Sequence, residues 1–457
     1  MAVASRPARP DASRDRGVIA RHAATVLVGQ LAVMAFGVTD TIVAGRYAEG
    51  ALAALSVGSA VFISVFVSLM GGLQALLPIW AELHGGRRTA DVGRSVRQSL
   101  YLCGAAIALG MALLLFPGPL LRWTEVPAAM RADVEAYLRV LAFALAPALL
   151  FRVFSTLSQS LGKPQLVTWL QLASLGLKLP LSIWFTFGGA GLPALGLVGC
   201  GWATLVVNYA MLGAAIWLLR SDPFYTGYRF WQRLERPDWR QLRQFARLGV
   251  PAGLSVLVEV TSFTLMALFI ARLGTAASAA HQIAANLTAV AYMVPLSLSI
   301  ATSARVSFWL GAGDAALARR ACARGFELTV LLALLFAGAM AALRWQLAAV
   351  YSANPAVIAL GATLLLATAL YHLADALQTL CVFVLRCYRV TVTPLALYCA
   401  LLWGMGLGGG YLLAYRGVGS WGAMASPLAF WLMGAGALAL TAGLFIALLL
   451  ATLRRRR

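Results

Sequence analysis

Three carboxylates stand where hydrocarbon is expected to surround them: Asp40 in GQLAVMAFGVTDTIVAGR, Glu259 in GLSVLVEVTSFTLMALFI and Asp375 in TALYHLADALQTLCVF. An ionisable group inside a spanning helix is costly unless it faces protein, water or a counter-ion, so each is a candidate functional residue. Ser255 and Ser262 share the helical face of Glu259 by the three-and-four spacing, while Tyr371 and Gln378 lie one turn before and after Asp375. A carboxylate in such a setting can carry a proton at physiological pH, or stay ionised and hold Na⁺ with hydroxyl and carbonyl oxygens. Either property suits an ion-coupled carrier. The competing reading is a buried acid that only fixes helix packing through hydrogen bonds.

Basic residues inside the apolar runs need anions in turn. Lys178, in ASLGLKLPLSIWF, falls near the centre of the fifth run, and Asp40 is the only first-half acid at comparable depth. A Lys178–Asp40 charge pair is therefore expected. Arg152 lies deep in its run, whereas Arg305 lies near a helix end, where it could snorkel to the interface. Gln30, Gln282, Asn286 and Gln378 are polar candidates for a substrate cavity, with Gln282 and Asn286 one turn apart. Pro295, inside the same run as that pair, is expected to kink it and free a carbonyl, as a hinge or as a packing kink. Trp184, Trp202, Tyr292, Phe308 and Trp403 could hold cationic compounds by cation–π contact or belong to the core and lipid belt.

No enzyme is expected. The four histidines (22, 84, 281, 372) do not pair with acids or cysteines at ligand spacing, and both a Walker-type GxxxxGK[ST] loop and GxSxG are absent. Six scattered cysteines without CxxC spacing read as packing residues rather than a metal site or disulfide framework. No cofactor is implied, and energy must come from an ion gradient.

The elements that position these residues are helices in a bilayer. Of 457 residues, 61% are hydrophobic and 11% charged, against roughly 25% charged in a soluble domain. Apolar runs of about 20 residues, enough to cross a core of roughly 30 Å, recur about a dozen times and lack the alternation of a β-barrel. The first twenty residues contain no cleavable signal and are expected to stay on the cytoplasmic side. The net charge of +20 follows topology. Arginines concentrate in alternate loops, including 87–97, the 220–247 connection, 319–324, Arg386, Arg389 and the tail 454–457, as the positive-inside rule requires. Nucleic-acid binding is not expected.

The polar stretch RSDPFYTGYRFWQRLERPDWRQLRQFAR divides the chain. It reads as an interfacial linker (221–247) between a first lobe of six helices (21–220) and a second (248–453), with cytoplasmic tails at 1–20 and 454–457. Arg131, Glu135 and Arg139, spaced at four, read as solvated pairs on the fourth helix. The halves resemble one another: WAELHGGRRTADVGRSVR against FWLGAGDAALARRACAR, and LVGCGWA against GVGSWGA. Six spans separate equivalents, which implies parallel repeats about an axis along the membrane normal. The expectation is an all-α polytopic protein with twelve transmembrane helices and both termini cytoplasmic.

Several stretches together resemble the multidrug and toxic compound extrusion (MATE) transporters, in their NorM-like bacterial branch: GVTDTIVAGR with ALAAL, LPIWAELHGG, QSLGKPQ, LVGCGWAT, LVEVTSF, RLGTAASAAHQIAANL, MVPLSLSIATSARV and ADALQTLCVFVLRCYR. The resemblance covers about residues 20 to 450. It implies two pseudo-symmetric six-helix lobes forming a V in a bacterial inner membrane. It further implies a monomer that expels cationic amphipathic drugs against Na⁺ or H⁺ by alternating access. By the motif matches Asp40 corresponds to the first-lobe acid, and Glu259, Tyr371 and Asp375 to the second-lobe cation site. One departure stands in the fifth helix, where the family pattern carries asparagines near a proline and this chain has LKLPLS, with Lys178 and Ser182. A fixed ammonium there would compete with Na⁺ or H⁺ at Asp40. The alternatives are a lipid-linked oligosaccharide flippase, which should line its cavity with several Arg or Lys, and a non-transporting membrane sensor, which needs no gradient-sensitive acids.

Overall fold

The computed structural model describes residues 14–123, 127–189, 191–417 and 422–455. Within them lie twelve helical spans long and apolar enough to cross a membrane. The first six are carried by α1 (Arg14–Tyr47), α2 (Glu49–Gln74) continued by α3 (Leu77–Gly85), α4 (Thr89–Leu115), and, after the short α5 (Gly118–Trp123), α6 (Ala128–Ser160), α7 (Pro164–Phe187) and α8 (Leu197–Ser221). After the one-turn α9 (Pro223–Thr226) come α10 (Trp239–Ala271), α11 (Thr275–Gly311), α12 (Ala315–Ala342), the short α13 (Arg344–Tyr351) and α14 (Pro355–Cys387). The eleventh span joins α15 (Val392–Tyr398), a π-helical stretch (Cys399–Gly409) and α16 (Gly410–Tyr415), and α17 (Leu428–Arg455) is the twelfth. Helices satisfy their backbone groups internally, which is what a hydrocarbon solvent demands.

Several boundaries differ from those read off the sequence, each for a local reason. The second span is not one helix. It breaks at Ala75–Leu76, and Pro78 in the first turn of α3 supplies the restart. The seventh helix begins at Trp239 rather than 248, because the Asp238 side chain accepts from the Arg240 and Gln241 amides and caps it. Asp314 likewise starts α12 early by accepting from the Leu317 amide. The twelfth helix starts at Leu428, later than the 420 expected from hydropathy.

The connection between the halves is folded onto the first half. Arg97 of α4 is nearly buried; it pairs with Glu235 and donates to the Arg229 carbonyl at 2.6 Å. These hydrogen bonds hold the Glu235 carboxyl below its usual range. Gln98 adds two bonds, donating to the Arg236 carbonyl (3.0 Å) and accepting from the Asp238 amide (2.9 Å). The connection is thus tied to α4, and α10 departs from it at its cap.

Buried apolar side chains gather in two large clusters. One spans Val43 to Ala252, and the other is built mainly from Val258 to Leu449. The first half of α10 belongs to the first cluster, so the change of core falls inside that helix rather than at its start. The two halves meet at the end that carries the basic loops. Asp15 of α1 pairs with Arg305 of α11 (2.6 Å) and accepts from Trp309 Nε1 (3.1 Å). The Arg305 expected to snorkel is instead tied to the other half of the chain. Glu82 of α3 pairs with Arg389 just past α14 (2.6 Å).

Glycine permits this contact. A Cβ on Gly85 would sit 1.9 Å from the Phe308 carbonyl oxygen, and one on Gly311 would sit 1.8 Å from that of Glu82. Both neighbours are backbone, so the helices would have to separate. We predict that Gly311→Ala and Gly85→Ala each destabilise this arrangement by about 1–3 kcal/mol, read as a lower thermal unfolding midpoint in detergent; unchanged midpoints for both would show that the contact is not tight.

Candidate functional site

Two separate constellations contain the sequence-predicted residues. In the first half, Asp40 on α1 is 7% exposed and faces Lys178 of α7, which is 0% exposed. Lys178 Nζ lies 2.7 Å from Asp40 Oδ1, 2.6 Å from Thr204 Oγ1 and 3.1 Å from the Cys200 carbonyl oxygen. An ammonium has three donors, and all three are met here. Ser182 Oγ donates to the same carboxylate oxygen at 3.2 Å. Lys178 and Ser182 share a face of α7 four residues apart, with Pro180 between them inside the helix. Cys200 and Thr204 likewise share a face of α8, and Thr204 Oγ1 also donates to the Cys200 carbonyl (3.0 Å). Neither was singled out in the sequence. Their four-residue spacing in the sixth span was the available signal.

In the second half, Glu259 of α10 and Asp375 of α14 stand close enough to feel each other's charge. Asp375 is 2% exposed and accepts from Gln378 Nε2 at 2.8 Å. Gln378 in turn accepts from the Tyr398 hydroxyl and donates to Thr379 Oγ1 at 3.1 Å. The predicted Gln378 is therefore a holder of Asp375, not an open cavity residue. Tyr292 joins the same network through Thr379.

Glu259 opens onto a small pocket that Ser262, Tyr371, Gly406, Phe430 and Gly434 help to line. Phe263, Tyr371 and Trp431 close one side edge-to-face, with centroids 5.5 to 6.2 Å apart. The π-helical stretch supplies Leu402, Gly406 and Leu407 to the same wall. A π-helix widens the turn and is frequent at functional sites, and CALLWGMGLGG can adopt it because its glycines leave space. Ser262 Oγ is buried in this pocket beside Glu259 without a hydrogen-bond partner, whereas Ser255 Oγ donates back to the Pro251 carbonyl (2.8 Å). Glu259, Ser262 and Tyr371 bring a carboxylate and two hydroxyls to one pocket, oxygen donors of the kind a hard cation takes. Among the described residues no cluster of three or more His, Cys, Asp or Glu forms a metal site.

The remaining candidates lie apart. Gln30 is half-buried on α1, about 15 Å along the axis from Asp40 at about 1.5 Å per residue. Gln282 and Asn286 are exposed and bonded to each other (3.2 Å) on α11. Pro295 is buried within α11, which continues unbroken to Gly311. Arg152 is buried and donates to Gln74 Oε1, leaving its Nε without a partner. Arg386, counted in a loop from sequence, lies instead in the last turn of α14 and is 5% exposed.

The MatE family model matches residues 26–184 and 251–412 of this chain. The chain belongs to the MatE family. Among curated proteins it is 38% identical to a probable multidrug resistance protein NorM of Aromatoleum aromaticum, over 88% of this chain and 87% of that one. It is 34% identical to the multidrug resistance protein PmpM of Pseudomonas aeruginosa, over 86% and 82%. Among solved structures, the eukaryotic MATE transporter AtDTX14 superposes with a TM-score of 0.85 at 17% identity, covering 97% of this chain and 98% of that one. The bent form of the Vibrio cholerae MATE transporter VcmN superposes with 0.82 at 19%, covering 97% and 98%. The architecture is that of the MATE transporters, and the protein is a multi-pass membrane protein and not an enzyme.

Lys178 and Asp40 neutralise one another, so removing one partner strands a buried charge. Lys178→Met should lower stability by about 3–5 kcal/mol, and Asp40→Asn in that background should recover most of the loss. Thermal unfolding followed by tryptophan fluorescence measures both; additive losses in the double variant would argue against direct pairing.

Proposed function

We propose that this protein exports cationic amphipathic compounds by antiport with Na⁺ or H⁺, through alternating access between two six-helix lobes (21–220 and 248–453). The observation that carries the reading is the contrast between its two acid sites. Asp40 already holds a fixed ammonium, while Glu259 lines an open pocket with Ser262 and Tyr371 and has no ion-pair partner within 4.0 Å among the described residues. Only the second site can exchange a cation without breaking an internal pair. Glu259 and Asp375 are the coupling carboxylates, Tyr371 and Ser262 supply neutral oxygens, and Gln378 orients Asp375. The names of the curated relatives support the substrate class.

The halves are in contact at the basic end, through Asp15–Arg305 and Glu82–Arg389. By the positive-inside rule that end is cytoplasmic, as are both termini, in a bacterial inner membrane. Cation binding must then favour one lobe arrangement and substrate binding the other, since a ligand shifts an equilibrium only by its differential affinity. The functional unit is a monomer, because each half supplies its own acid site.

Proteoliposomes loaded with a fluorescent organic cation test this under an imposed Na⁺ or pH gradient. Wild type should move the cation with at least one gradient. Glu259→Gln and Asp375→Asn should each abolish the gradient dependence while expressing as folded protein. Gradient-driven movement that survives in both variants would remove the site assignment, and wild type inert to both gradients would remove the antiport reading.

A further inference from the structure

Arg386 sits in a second, narrow pocket together with Ala252, Ser255, Val390, Thr391 and Pro394. It is 5% exposed and stacks on the Phe383 ring at 4.5 Å. The ion pairs among the described residues do not include it. A guanidinium with no ion-pair partner in the last turn of a spanning helix is costly, and packing alone would be served by an apolar side chain.

Its position along the helices is informative. From the basic end, α10 passes Ala252 and Ser255 of this second pocket, then Glu259, then Ser262 and Met266 of the first pocket. Ala252 precedes Glu259 by seven residues, about 10 Å of helix. Glu259 thus lies between two pockets, the first reaching it from the far end and the second approaching it from the basic end. Arg386 occupies the second, within electrostatic reach of Glu259.

We propose that Arg386 is a fixed positive plug: it keeps a cation at Glu259 from escaping through the second pocket while the basic end is closed, so release requires the lobes to rearrange. The inference rests on the cation-coupled reading of Glu259. Fixed positive charge lining a narrow path excludes cations without hindering water or neutral groups. In an exchanger the benefit is tight coupling, because a cation that slips through without substrate dissipates the gradient.

The test measures cation leak with no organic substrate present, in proteoliposomes, using ²²Na⁺ uptake and an entrapped pH dye. Arg386→Met keeps the stem and removes the charge; leak of Na⁺ or H⁺ should rise about tenfold, the order expected for removing one nearby unit charge. Arg386→Lys should stay near wild type, and Glu259→Gln in the Arg386→Met background should return the leak to the wild-type level. Should Arg386→Met fail to fold, Val390→Asp tests the same point by neutralising the charge in place, and it too should leak. Folded Arg386→Met or Val390→Asp as tight as wild type would overturn the plug, as would a leak that persists without the Glu259 carboxylate. Wild-type exchange in the same vesicles separates the two readings. If it is present and the variants are tight, only the plug falls; if it is absent, the coupling reading falls and the plug with it.

Discussion

A charge inside hydrocarbon must find an opposite charge, a full set of hydrogen bonds or water, and the interior of this protein is arranged around that requirement. Lys178 meets it most completely, since its three donors go to Asp40, Thr204 and the Cys200 carbonyl. The pair ties α1, α7 and α8 together in the middle of the first half. Its geometry is that of an oxygen-lined cation site whose cation is covalently tethered.

The second half meets the same requirement differently. Asp375 is held by Gln378, and Gln378 by Tyr398, while Glu259 opens into space left by Gly406 and Gly434. Arg386, a fixed positive charge of the same half, lines a separate pocket. One half therefore has its buried acid paired with a lysine, and the other has a carboxylate lining a pocket with Ser262 and Tyr371.

Contact between the halves has its own logic. Backbone meets backbone at Gly85 and Gly311, flanked by ion pairs that reach across from Asp15 and Glu82. Close backbone approach needs glycine, and beside it Ile19 and Ala23 of α1 pack against Val294, Leu298 and Leu328 of the other half.

Hydropathy alone determined the spans, because about 20 apolar residues in succession have no other stable setting than a bilayer and no other stable form than a helix. It also isolated Asp40, Glu259, Asp375 and Lys178, since a lone charge in such a run is conspicuous whatever surrounds it. Helix starts were less legible. Asp238 and Asp314 cap their helices well before the apolar runs begin, and polar helical turns have no hydropathy signal. The break at Ala75 and the π-helical turn at Cys399–Gly409 leave the run of apolar residues uninterrupted and so have no hydropathy signal. What only the tertiary structure decided was partnership. Arg305 and Arg386 are both basic residues near a helix end, yet one closes an ion pair with Asp15, 290 positions earlier in the chain, and the other stands alone beside the Glu259 site. A sequence states which charges exist along one dimension; which of them meet depends on distances that only the packed helices define.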